Sequence, residues 1–450
     1  TAQGGDLIEQ SFKEKQWSAE ARLASSKDSR VTWTVGGYWY KSDENNINQV
    51  ETDLLDQAAD TWENGSGGGA PMSFRGINGS LAALQGPPPS TIDPYTSDNP
   101  LTANYRTPQD SIAAFGQATY PITDSFRFTG GVRWNNDNNN MKYRIVIYDV
   151  TEDGPYSVYY DQTVETSDGR HQYDSGIVKY TVESSPVTYK AGLEFDLDEN
   201  KMLYVNYTTG YKNGGLNLQS VTPPAAYDPE EVKNYSLGIK SRWLNNRLQF
   251  NAEAYYYDYK GMQQQCQTEV YDPLRGETRG AMIIVNAEDG MSSGMEVSLD
   301  WMVTANDRLS ITASYMNTEF GKLILPPSPF YGFETDKTGD DLPKAPPFSG
   351  TLGYEHVFNL DDGSTVTPRF QTKISAGFDN THETYLAGSH TDSYSMSDFY
   401  LTYGSSTGKY TASFWIKNLE NAAVTDYVFP MYRRIIMEPR TSGITFNIRF

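Results

Sequence analysis

A single cysteine, Cys266, stands in the 450 residues, so the chain closes no disulfide of its own and has no zinc-type cysteine spacing. Long apolar runs are also missing. No stretch approaches the roughly 18 consecutive apolar residues that a membrane helix requires. Positive charge is scarce: 36 Lys and Arg against 57 Asp and Glu leave a formal net charge of -21. That balance repels phosphate backbones and argues against a nucleic-acid partner. The four histidines, His171, His356, His382 and His390, form no metal motif. The run N-N-D-N-N-N at 135–140 and the acids Asp149, Glu152 and Asp153 offer oxygen ligands, but their spacing matches no calcium loop. With no G-x-S-x-G, phosphate loop or nucleophile–base pairing either, no enzyme, metal or cofactor is expected. A charged-then-apolar leader is missing after Thr1, so the sequence reads as a processed or partial chain.

Aromatics, by contrast, are plentiful at 13%, with 33 Tyr, 19 Phe and 8 Trp. Mean hydropathy is low, at -0.60, but so many rings exclude a disordered chain. The residues alternate with a period of two. In 297–303, Val297, Leu299, Trp301 and Val303 share one face, with Ser298 and Asp300 on the other. In 248–254, Leu248, Phe250, Ala252 and Ala254 oppose Gln249, Asn251 and Glu253. Leu309, Ile311, Ala313 and Tyr315 repeat the pattern, as do Ile444, Phe446, Ile448 and Phe450. Such alternation is that of a half-buried strand, not a helix.

A soluble sandwich would alternate too. Three features point instead to a transmembrane antiparallel β-barrel, an all-β fold. Strands of ten residues or more suit a tilted crossing of hydrocarbon. Connections alternate between short (25–29, 121–125, 196–200, 244–246, 304–307, 360–363, 405–408) and long (47–109, 147–185, 209–229, 320–347, 418–438), as short periplasmic turns and long extracellular loops do. Aromatics gather at strand ends, among them Trp33, Trp39, Tyr255–Tyr257, Tyr400 and Tyr403, as in interfacial girdles. About fifteen strands are expected, beginning near residue 16. An odd count leaves two edges, and unpaired edges in lipid are costly, so the sheet is expected not to close by itself. With residue 450 in the periplasm, residues 1–15 fall outside the cell.

Several segments resemble TonB-dependent outer-membrane receptors. They are Q-W-S-A-E-A-R-L-A-S with W-T-V-G-G-Y-W-Y (16–40), S-I-A-A-F-G-Q-A-T-Y with F-T-G-G-V-R-W (111–134), and Y-V-N-Y-T-T-G-Y-K-N-G-G-L-N (204–217). Residues 227–259, L-P-K-A-P-P-F-S-G-T-L-G-Y-E (342–355), W-I-K-N-L-E-N (415–421) and E-P-R-T-S-G-I-T-F-N-I-R-F (438–450) follow in the same order. The resemblance implies a barrel of about 22 strands with a plugged lumen. Residues 1–450 would form the C-terminal portion of that barrel, with roughly seven strands and the plug outside this sequence. It also implies uptake of a scarce ligand such as a ferric siderophore, vitamin or glycan, powered by the TonB–ExbB–ExbD system through the plug. A separate chain supplying the N-terminal strands and plug is one arrangement this allows. A passive diffusion pore and a barrel-anchored surface interaction protein are the alternatives.

Candidate ligand contacts are aromatic and basic residues of the long loops: Trp62, Phe74, Arg75, Tyr105, Tyr331, Phe333, Tyr427, Phe429, Tyr432, Arg433 and Arg434. Tyr211 and Lys212, where a strand ends beside Gly214 and Gly215, join them. Gly443, Phe446, Ile448 and Phe450 resemble the signal read by the barrel assembly machinery, where an edge strand pairs with the machine's own edge. Outer-membrane lipid and lipopolysaccharide are the remaining partners.

Overall fold

The computed structural model describes residues 7–51, 101–148, 163–165, 171–174, 178–217, 226–272, 277–327, 333–381, 388–429 and 433–449. Trp62, Phe74, Arg75, Tyr331, Tyr432 and Phe450, proposed as site residues, lie outside them, as do His382, Asp149, Glu152 and Asp153. Among the described residues no helix is long and apolar enough to cross a membrane. Among the described residues one large meandering antiparallel sheet crosses between its two rims fifteen times, with five two-stranded sheets besides.

In chain order its strands are β1 (Leu7–Ala24), β2 (Thr32–Glu51), β3 (Leu101–Pro121), β4 (Phe126–Tyr148), β5 (Val178–Ser184) and β6 (Val187–Asp198). Then come β7 (Lys201–Lys212), β8 (Glu230–Trp243), β9 (Leu248–Lys260), β10 (Asp289–Met302) and β11 (Asp307–Phe320). The series ends with β12 (Phe348–His356), β13 (Thr365–Ser375), β14 (Tyr394–Gly404), β15 (Tyr410–Lys417) and β16 (Thr441–Ile448). Each pairs antiparallel with its neighbours in sequence; β5 and β6 are two halves of one pass, both paired with β4. Among the described residues β1 pairs only with β2 and β16 only with β15.

The short connections match the expected turns closely, because their residues tolerate the required backbone. Leu244, Asn245 and Asn246 all take positive φ, at 53°, 55° and 65°. Asn accepts this left-handed region readily, whereas a leucine there is strained by roughly 1–2 kcal/mol. Gly363 and Gly408, at φ 80° and 67°, turn two further hairpins.

Several long connections differ from expectation. Residues 7–15 belong to β1, and 47–51 and 101–109 to β2 and β3, instead of to extracellular loop. The run at 135–140, by contrast, lies in β4 within a stretch expected as strand: Asn135–Asn139 are held by β3 and Asp137–Asn140 by β5. Asn disfavours strands when judged alone, but a ladder on both sides overrides that preference. β1–β4 are therefore 18, 20, 21 and 23 residues long, whereas β15 and β16 have 8 each. At about 3.3 Å per residue, β1–β4 reach roughly 60–75 Å and stand well beyond a hydrocarbon layer of about 30 Å.

Side chains point by alternation to two very different faces. On one face Trp33, Val35, Trp39, Phe128, Val132, Trp134, Leu193, Val205, Leu237, Leu352, Phe370, Leu401 and Ile444 are exposed, Ile444 to 77%. Such a continuous apolar exterior is untenable in water and is what lipid requires. Tyr207, Tyr235 and Tyr256 form a row across it, with ring centroids 5.1 and 6.5 Å apart. The opposite, concave face is polar.

The described residues gather a compact apolar cluster beyond the long-loop rim. Met262, Cys266, Ala287, Phe320, Leu323 and Leu325 are buried together, with Tyr259, Ile283, Val285 and Leu342 packed around them. The hairpin Gln263–Asp272 with Glu277–Asn286 and the segment after β11 share this core. Polar ties fix it: Asn217 Nδ2 donates to Ile284 O at 2.8 Å while Ile284 N donates to Asn217 Oδ1 at 2.6 Å. Lys322 Nζ meets Glu288 Oε1 at 2.6 Å, which raises the ammonium above its usual pKa.

Candidate functional site

The concave wall between β2, β3, β4 and β7 encloses a cavity of about 690 Å³. Alternation along β4 sends Val132 and Trp134 outward and Arg133, Asn135 and Asp137 inward. From β2 and β3, Tyr38, Tyr40 and Ser111 line the same space. Arg133 Nε donates to Asn135 Oδ1 at 2.8 Å. Its guanidinium carbon lies 5.7 Å from the ring centre of Tyr38 and 5.5 Å from that of Phe115, within cation–π range.

Asp137 is buried and fully engaged. It accepts from Ser111 Oγ at 2.5 Å, Tyr211 Oη at 2.6 Å and Asn213 Nδ2 at 3.2 Å. Strict alternation would send Tyr211 to the side of Val205 and Tyr207, yet its hydroxyl reaches the concave side. The interruption at Ser185–Pro186 lies between the two: Pro186 has no N–H to continue the ladder. Its carbonyl still accepts from Asn135 N at 3.0 Å.

Lower on the wall, a second cavity of about 430 Å³ is lined by Tyr204, Lys240, Glu253, Glu296 and Lys373. Glu253 and Glu296 stand directly opposite each other across β9 and β10. Tyr204 Oη donates to Glu253 Oε2 at 2.6 Å. Two carboxylates in such register repel, and Lys240 and Lys373, which line the same cavity, supply the compensating positive charge. Above Glu253, Tyr255, Tyr257 and Tyr259 climb the same face, with ring centroids 5.3 and 6.2 Å apart.

Among the described residues the structure does not gather the proposed contacts at one place. Tyr211 lines the larger cavity, and Lys212, beside it, is exposed and has no recorded role there. Phe333 is 59% exposed at the loop surface. Tyr427 is covered by Lys344, whose Nζ lies 4.6 Å from the ring centre. Arg434 packs on Gly388, where an added Cβ would meet its Cδ at 2.6 Å. Those two are ties between loops. Tyr105, Phe429 and Arg433 lie in strands of the described backbone.

The terminal residues divide as well. Phe446 and Ile448 are exposed on the apolar face at 61% and 46%. Gly443 faces inward, where a Cβ would stand 2.5 Å from the Trp415 ring, so it makes room for that indole.

Arg133, Asn135, Asp137, Tyr38, Tyr40, Glu253 and Glu296 were not singled out from the sequence as site residues. The signal that could have found them is the alternation itself: in R-W-N-N-D, Trp134 outward sets Arg133, Asn135 and Asp137 inward.

A family model described as TonB dependent receptor-like, beta-barrel, matches residues 3–419. The chain belongs to that family, and it is an outer-membrane β-barrel. The long loops therefore face outward from the cell and the short turns face the periplasm. Among curated proteins the chain is 30% identical over 155 residues to the ferric-pyoverdine 358 receptor of Pseudomonas putida, covering 34% of this chain and 18% of that one. It is 26% identical over 157 residues to the probable TonB-dependent siderophore receptor PiuA of Acinetobacter baumannii, covering 33% and 19%. Among solved structures, the ferric yersiniabactin uptake receptor FyuA of Yersinia pestis superposes with a TM-score of 0.68 at 16% identity. That superposition covers all of this chain and 56% of the other, so the chain spans about half the length of that receptor.

Proposed function

We propose that this barrel wall belongs to a receptor that takes up a ferric siderophore across the outer membrane, with energy delivered by the TonB–ExbB–ExbD system through a plug in the lumen. The observation that carries this reading is the family match across residues 3–419, beside relatives named as siderophore receptors. The concave wall is consistent with it. The ligand meets the extracellular rim first, and the cavity beside Arg133 lies on its way inward.

The test is uptake in iron-starved cells that carry or lack the gene, supplied with a panel of ⁵⁵Fe-loaded siderophores. Gene-dependent accumulation of one of them, abolished when the proton gradient is collapsed, is expected. Accumulation that survives the collapse, together with a steady single-channel conductance of the purified protein, would establish a passive pore instead.

A further inference from the structure

We infer that the cavity beside β4 is an oxyanion-binding site, built to hold a flat carboxylate or phenolate group against the barrel wall. The inference rests on the uptake reading for its biological meaning, but its chemistry stands on the wall itself.

Two unused donors converge there. Asn135 is only 4% exposed, and its Nδ2 has no hydrogen-bond partner. Its orientation is fixed, because Oδ1 already accepts from Arg133 Nε at 2.8 Å. A buried amide N–H left without an acceptor costs about 1–3 kcal/mol, so a site that keeps one has a use for it. Arg133 spends only its Nε in that bond, and among the described residues its two η nitrogens have no partner. Both side chains line the same cavity of about 690 Å³, which is roomy enough for a small organic anion.

The surroundings select for shape and charge. Tyr38 and Phe115 flank the guanidinium from the β2 and β3 side, with its carbon 5.7 and 5.5 Å from their ring centres, within cation–π range. A guanidinium edge matches a planar oxyanion with two parallel hydrogen bonds. Two acids line the site, and neither competes for those donors: Asp110 pairs with Lys41 at 3.3 Å, and Asp137 is engaged elsewhere. Its oxygens are occupied by Ser111, Tyr211 and Asn213. Its charge also offsets that of Arg133, which limits the occupant to a singly charged or well-delocalised group. Tyr40, also lining the cavity, offers a further ring beside the bound group.

Benzoate and benzamide, which share a ring and differ in charge, are the probes. Binding is measured by calorimetry on the detergent-purified protein, at low ionic strength. Benzoate is expected to bind at least tenfold more tightly than benzamide. Arg133→Met should erase that preference, Asn135→Leu should weaken benzoate several-fold, and Lys240→Met in the other cavity should leave it unchanged. In case Arg133→Met does not fold, phenylglyoxal labelling of the wild-type protein gives a second reading: benzoate should shield Arg133 from modification and benzamide should not. Equal affinity for the two probes, or unshielded labelling of Arg133, would overturn the proposal. Cellular uptake is followed in parallel. Gene-dependent uptake without benzoate binding sinks the oxyanion site alone; benzoate binding without uptake leaves the site standing and sinks the transport reading.

Discussion

Leu237→Arg tests the assignment of the apolar face to lipid. Leu237 is 55% exposed. In register it lies between Val205 of β7 and Ala254 of β9, and Val205 in turn faces Leu193 of β6. The substitution therefore falls within a continuous apolar belt and not at its margin. An arginine on the lipid face near the bilayer midplane costs about 2–4 kcal/mol, which is roughly 30- to 700-fold in the folding equilibrium. The matched control is Thr312→Arg, on the inner face of β11 beside the cavity of about 430 Å³, where water and space are available. Its cost should stay below about 1 kcal/mol. The assay is guanidinium unfolding of the protein reconstituted in phospholipid vesicles, followed by tryptophan fluorescence. If both variants shift the midpoint equally, the outer face does not contact hydrocarbon and the membrane argument fails.

Other substitutions probe the remaining parts. Gly443→Ala drives a methyl to 2.5 Å from the Trp415 ring and should destabilise the barrel by about 1–3 kcal/mol, read from the same unfolding midpoint; an unchanged midpoint would dismiss the packing role. Phe320→Ala empties the loop cluster at a local cost of about 3–5 kcal/mol. Hydrogen exchange should then quicken in the 263–286 hairpin while β13–β15 stay protected, and uniform loosening would contradict an independent cap. In the periplasmic turn, hydrogen bonds from the Ser364 hydroxyl and backbone N–H hold the Asp362 carboxyl below its usual range. A lowered folded pKa gives stability that is full above the ordinary carboxylate range and lost as pH falls through the lowered value. Asp362→Asn should thus be less stable than wild type at neutral pH and converge with it once pH falls through the lowered value; a gap that persists in acid would refute the linkage.

The sequence by itself determined the all-β class, the fifteen crossings and the order of turns. Those features rest on local rules: period-two alternation as in Leu248–Ala254, and turn residues such as Asn245, Asn246 and Gly363 that accept positive φ. It also told inward from outward residues along β9 and β10, because lipid demands apolar side chains on one face only. Strand ends were less legible. Residues 7–15, 47–51 and 101–109 read as loop, and only pairing with neighbouring strands makes them part of β1, β2 and β3. The loop cluster around Phe320 was hidden for a related reason: its members come from three stretches of chain whose meeting no local pattern encodes. The candidate site followed the same division. Loop aromatics and basics looked like ligand contacts by composition; the structure sets Tyr427 beside Lys344 and Arg434 against Gly388. Asp137 and Tyr211 lie 74 positions apart. Their hydrogen bond spans the β5–β6 pass that stands between β4 and β7, and only the tertiary structure decides that.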